Sequence, residues 1–149
     1  MPELTGAWHF LYNTKMFIVY QPLEDEADYR KCKFFKLTKE NKIILPKSNR
    51  ANPLLWATKC RAKGKNNKVY ILIPGRRFDF WGTRWGRGGG WYDKFLANLP
   101  SNWIRIGVTT SNRLNRVKLK RKTWDEPVDW IICETTCSWK IFRTGARDP

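Results

Sequence analysis

Apolar residues along this chain gather in short runs separated by polar and basic stretches. Phe17-Ile-Val-Tyr20, Ile43-Ile-Leu45, Val69-Tyr-Ile-Leu-Ile73, Ile104-Arg-Ile-Gly-Val108 and Trp130-Ile-Ile-Cys133 are too brief for helices and rich in β-branched and aromatic side chains. They predict strands over 16–20, 42–45, 69–73, 103–108 and 128–133. Helical spacing predicts one helix over about 24–37 and another over 91–98, the second starting where a run of glycines stops. Lys47 to Lys68 and Arg113 to Lys122 read as basic loops. Such alternation implies an α/β fold with a mainly parallel sheet, helices on both faces, and ligands at the carboxyl ends of the strands. No internal repeat or Pro/Ser linker divides the 149 residues, so 1–149 reads as a single domain.

The stretch from Ile73 to Asp93 joins a buried-strand signal to a glycine-rich, cation-bearing loop and then to a helix. Gly86, Gly88, Gly89 and Gly90 lack side chains, so successive backbone N–H groups can close on an anion at the helix start, with Arg84 and Arg87 adding charge. Glycines alone would fit a Gly/Arg linker or an RNA-binding tail equally well.

The flanking residues change that balance. Pro74-Gly75, Phe78-Asp79, Gly82, Arg84, Gly86, Gly88, Gly90 and Tyr92-Asp93 follow in order and spacing the signature of the 5-formyltetrahydrofolate cyclo-ligase family (methenyltetrahydrofolate synthetases), which this stretch resembles. Ile104 to Val108, the Asp125-Glu-Pro-Val-Asp129 element and Trp130 to Glu134 are similar to later parts of that family; Phe17 to Tyr20, Glu26 to Asp28 and Asn41 to Pro46 are similar more loosely. The resemblance implies an enzyme that uses ATP and Mg²⁺ to activate the formyl oxygen of 5-formyltetrahydrofolate as a phosphate. Ring closure then gives 5,10-methenyltetrahydrofolate, ADP and phosphate. Phosphoryl transfer needs positioning and charge neutralisation more than a nucleophilic side chain, so a backbone nest, arginines and metal-holding carboxylates are the expected parts. Carried over by position, Arg84, Gly86, Arg87, Gly88, Gly89, Gly90, Trp91 and Tyr92 would bind the nucleotide. Asp93 and Asp129 would hold Mg²⁺, and Glu26 would contact the pterin. Without the resemblance, Asp93 would read as a helix-start aspartate favoured by the macrodipole and Glu26 as a solvated charge.

The chain also departs from the family pattern. Family members open with a helix carrying spaced lysines and arginines, whereas residues 1–15 here offer one lysine, Lys15, and no arginine. Lys47 to Lys68 is short, basic and lacks the family's Glu-Pro pair, Trp124 stands where a histidine is common, and Thr109-Thr-Ser111 replaces an aromatic and an acid.

Charge adds a competing reading. Residues 31–122 hold 24 Lys/Arg against 3 Asp/Glu, a net of +21, while the two ends are mildly acidic. Lys59, Arg61, Lys63, Lys65 and Lys68 form one tract, and Arg113, Arg116, Lys118, Lys120, Arg121 and Lys122 another. With 9 tryptophans available for stacking, these tracts fit a polyanion such as RNA. Two functions therefore compete: an active cyclo-ligase, and a degenerate cyclo-ligase fold serving as an RNA-binding subunit of a ribosome or other ribonucleoprotein. Cys32, Cys60, Cys133 and Cys137 have no zinc spacing, and the one histidine, His9, leaves no Ser-His or Cys-His set, so metal-cage and nucleophile chemistry are poor fits. No apolar run approaches the roughly 20 residues of a membrane span, and the start around Glu3 does not read as a signal peptide. The expected setting is intracellular, in cytoplasm or an organelle matrix, and not secreted.

Overall fold

Met16 and Ile18 share one buried cluster and Phe17 and Val19 another, as the two-residue period of a strand requires when both faces of a sheet are covered. This computed structural model describes residues 16–33, 35, 37–47, 50–65 and 67–148. The expectations for Met1 to Lys15, His9 among them, lie outside the described residues. Strands β1 (Met16–Val19), β2 (Lys42–Ile44), β3 (Val69–Ile73), β6 (Ile104–Thr110), β8 (Trp130–Glu134) and β9 (Trp139–Arg143) form a six-stranded sheet in the order β2-β1-β3-β6-β8-β9. The first five are parallel, and β9 adds an antiparallel edge that was not expected from the sequence. A smaller sheet joins β4 (Arg77–Asp79), β5 (Arg84–Trp85) and β7 (Leu114–Asn115), with β4 central.

Two α-helices are present among the described residues: α1 (Pro53–Lys63) and α2 (Trp91–Ala97). Both pack on the same face, so the expectation of helices on both faces is corrected among the described residues. Ala57 and Cys60 of α1 and Phe95 and Leu96 of α2 share a cluster with Met16, Ile18, Ile71 and Ile131. The second face is covered by Tyr20, Ala27, Tyr29 and Cys32, with Phe35 and Leu37 against them. The helix expected over 24–37 is therefore corrected to a 3-10 turn at Tyr29–Lys31 and loop. Its local bonds explain this. Tyr20 Oη donates to Ala27 O at 2.5 Å, occupying a carbonyl that a helix would need, and Asp28 caps its own turn by accepting from Arg30 N.

The first basic tract is also corrected, from loop to helix. Asn52 Oδ1 accepts from Leu54 N and Leu55 N, and Pro53 occupies the first helical position, so α1 begins with an ordinary cap. Lys59, Arg61 and Lys63 are exposed on it, and Arg61 donates to Asn98 O at the end of α2. No described helix is long and apolar enough to cross a membrane.

Candidate functional site

In a parallel sheet all strands deliver their carboxyl ends to one edge, and loops there can converge on a ligand. Tyr20 and Gln21 leave β1 at that edge, Pro46 and Lys47 follow β2, and Pro74 and Gly75 follow β3. With the loop 84–93 and the segment 120–125 they line a cleft of about 740 Å³, a size suited to small-molecule ligands.

Gly88, Gly89 and Gly90 have φ of 94°, 76° and 66° in succession. A Cβ placed on any of them would meet nothing within 4 Å. Conformation, not crowding, therefore requires glycine there. Gly90 starts α2 with no side-chain cap, so the first-turn N–H groups and the loop amides form a donor-rich concavity of the kind that binds anions. Gly86 is glycine for a different reason: a Cβ would come within 2.8 Å of the Arg84 guanidinium.

Arg84 lies at the centre. Its Nε donates to Pro74 O at 2.6 Å, and its guanidinium stands 4.9 Å from the centre of the Tyr92 ring. Burial pushes its pKa down, while Asp93, Tyr92, Glu26 and Asp125 pull it back up. An arginine stays charged through such shifts, leaving a desolvated cation aimed at the cleft. Arg87 is placed differently. It pairs with Asp25 and, at 3.5 Å, with Glu26, tying the glycine loop to the loop after β1. That hydrogen bond holds the Asp25 carboxyl below its usual range. Glu26 also accepts from Leu23 N at 2.9 Å and is nearly buried, so in this arrangement it already has protein partners.

The two aspartates expected to share a metal are not brought together. Asp93 lines the cleft, where Oδ1 accepts from Glu126 N at 2.9 Å. Burial raises its pKa, opposed by that hydrogen bond and by Arg84. Asp129 sits at the opposite edge of the sheet, before β8. It accepts from Arg105 N at 2.8 Å and takes both arms of the Arg147 guanidinium, each at 2.8 Å. The cleft carboxylate of the Asp-x-Pro-x-Asp element is Asp125, whose Oδ2 accepts from Lys122 N at 2.8 Å. Sequence reasoning missed it although Asp125 belongs to the same element: Asp125 lines the cleft, while Asp129, four residues on, is held where β6 and β8 begin. Asp129→Asn is accordingly expected to cost about 1–3 kcal/mol of stability by weakening charged hydrogen bonds. It should leave the turnover of folded protein unchanged, which denaturant titration beside a specific-activity measurement will check.

No group of three or more His, Cys, Asp or Glu suited to a metal occurs among the described residues. Two hard carboxylates, Asp93 and Asp125, line the cleft with the glycine loop and would suit Mg²⁺, which keeps several waters and takes few protein ligands. Of the two basic tracts, Lys120 and Lys122 enter the cleft, as do the half-exposed Trp85 and the exposed Trp124, none of which was expected there. Lys59, Arg61, Lys63, Lys65, Lys68, Arg113, Arg116, Lys118 and Arg121 do not line it.

The fold is shared with solved proteins. A 5,10-methenyltetrahydrofolate synthetase from Mycoplasma pneumoniae superposes with a TM-score of 0.52 at 22% identity, covering 83% of this chain and 77% of that one. The synthetase from Aquifex aeolicus gives 0.54 at 22% identity, covering 99% and 79%. No curated protein sequence matches significantly. The sequence pattern of the 5-formyltetrahydrofolate cyclo-ligase family matches residues 19–134, from the last residue of β1 through β8 and including the whole cleft. This chain belongs to the 5-formyltetrahydrofolate cyclo-ligase family.

Proposed function

We propose that the chain is a 5-formyltetrahydrofolate cyclo-ligase, forming 5,10-methenyltetrahydrofolate with consumption of ATP. What carries the reading is the meeting, in one cleft, of three consecutive left-handed glycines, a desolvated arginine and two carboxylates. The loop amides of Gly88 to Gly90 and the start of α2 would hold phosphate oxygens, and Arg84 would face the charge that develops on the transferred group. Asp93 and Asp125 would hold Mg²⁺ through oxygen, and Lys120 and Lys122 would offset the remaining negative charge. Bound MgATP supplies the phosphoryl group that activates the formyl oxygen. Glu26, which lines the cleft and pairs with Arg87, remains the candidate for the pterin, on condition that this pairing opens.

Purified protein given 5-formyltetrahydrofolate, ATP and Mg²⁺ is expected to accumulate the methenyl chromophore with stoichiometric ADP. Folded protein that binds MgATP yet gives no chromophore at any Mg²⁺ level would overturn the reaction while leaving the nucleotide site standing.

A further inference from the structure

The segment 116–124 carries Arg116, Lys118, Lys120, Arg121 and Lys122 and no acid before Asp125. A charge run is ordinarily a solvated face, but this one is anchored. Buried Asp79 accepts from Leu119 N through Oδ2 at 2.7 Å, while its Oδ1 holds Trp81 N and Thr83 N. Trp85 Nε1 donates to Lys120 O at 3.0 Å. Arg121 donates to Thr83 Oγ1 at 3.1 Å and to Trp81 O at 2.9 Å. The backbone is thus fixed to the β4–β5 hairpin. None of the five cations forms an ion pair among the described residues.

The segment forms a ridge between two clefts. Lys120, Lys122 and Trp124 line the larger cleft together with Trp85. Lys118 and Arg121 line a second, shallower one of about 480 Å³ with Trp81, Thr144, Gly145 and Ala146. Trp81, Trp85 and Trp124 are 42%, 43% and 64% exposed. Scattered exposed apolar residues are common. Lys122 Nζ stands 5.3 Å from the centre of the Trp124 ring, so one face of that indole is covered by a cation. Three exposed indoles beside five cations without a carboxylate partner make a different surface, one offering ring faces and positive charge along the same path.

We propose that this ridge binds single-stranded nucleic acid, its phosphates following Lys118, Lys120, Arg121 and Lys122 and its bases stacking on Trp81, Trp85 and Trp124. A duplex would use the cations and leave the indoles idle. An anionic membrane would need apolar side chains on a flat face, and a ridge between two hollows is not one. A flexible strand can cross the ridge and lay bases on both sides. Trp85, Lys120, Lys122 and Trp124 also line the larger cleft, so a bound strand would compete with a nucleotide there; Trp81 and Lys118 lie outside it, and variants at those two positions test this surface apart from the cyclo-ligase reading.

The test is a titration of the whole protein with fluorescein-labelled oligouridylate in rising salt, on wild type, Trp81→Ala and Lys118→Glu. Each phosphate neutralised contributes about −0.7 to the slope of log K against log salt, so these cations should give roughly −2 to −3. Loss of one stacking platform in Trp81→Ala should weaken binding by roughly 5-fold to 150-fold. MgATP affinity of the same preparations should be unchanged, which also reports that the variant is folded. If Trp81→Ala fails to fold, exposed Lys118→Glu decides instead, through a flatter slope. Binding indifferent to Trp81→Ala would overturn the idea in favour of plain polyelectrolyte attraction. Capture by phosphatidylserine vesicles without oligouridylate binding, or binding to neither, would overturn it as well.

Discussion

Asp93→Asn is expected to keep the fold and lose cyclo-ligase turnover by about 10²-fold to 10³-fold, the loss typical of removing one electrostatic contact at the reacting group. Asparagine still presents a carbonyl oxygen to Glu126 N, so the tie between α2 and the segment before β8 survives. What disappears is the negative charge that would hold the cation. Burial raises the Asp93 pKa above its ordinary value, and the sign of the pH response follows. Asp93 is protonated in both folded and unfolded chains below the unfolded value. Between that value and the raised folded one, the unfolded chain ionises first, so this group's contribution to stability is lost as pH rises through the window. Metal-dependent nucleotide binding runs the other way and falls as pH drops through the same window. Wild type should therefore lose MgATP affinity on acidification at a pH above the usual aspartate range. Asp93→Asn should be no less stable than wild type at neutral pH. Calorimetric titration across pH with thermal unfolding will check both; a variant that retains turnover would remove Asp93 from the site.

Gly90→Val is the second large effect. Gly90 is in the left-handed region at φ 66° and ψ 26°, and open space surrounds the position a Cβ would take. Valine would fit sterically against its neighbours yet disfavour that backbone conformation by about 1–2 kcal/mol, and β-branching adds to the strain. The expected result is roughly 10-fold or greater loss of MgATP affinity, with the sheet core untouched. Gly90→Asn is the informative partner. Asparagine tolerates the left-handed region and is a favoured helix cap, so its affinity should stay near that of wild type. Equal losses in the two variants would mean that free space at the loop, and not its conformation, matters to the ligand.

The parts of the molecule that were readable in the sequence are those whose causes are local. Val69 to Ile73 is five apolar residues buried on both faces, and the loop and helix after it follow from glycines whose conformation no other residue adopts as readily. The helix α1 was obscured because its residues do not segregate: only Ala57 and Cys60 are buried, Leu54 and Leu55 are exposed, and cations occupy much of the rest. The caps Asn52 and Pro53 were the available signal. The segment 24–37 misled in the opposite direction, since its acids look like a helix start and instead serve turns and Arg87. The small sheet rests on strands of two or three residues, too short for a period to show. Asp129 was misplaced because spacing along the chain cannot say which edge of a sheet a residue reaches; the Arg147 fork that claims it comes from 18 residues further on.

Arg87 also bears on how two ligands would share the cleft. Its guanidinium is shared by Asp25 and Glu26, so a polyphosphate that engages it has to displace carboxylates already in place. The first ligand to bind meets that cost, and Glu26 is then released toward the second. Nucleotide and folate would thus be linked heterotropically through one side chain, each tightening the other's binding by the same factor, because a coupling free energy between two sites is reciprocal.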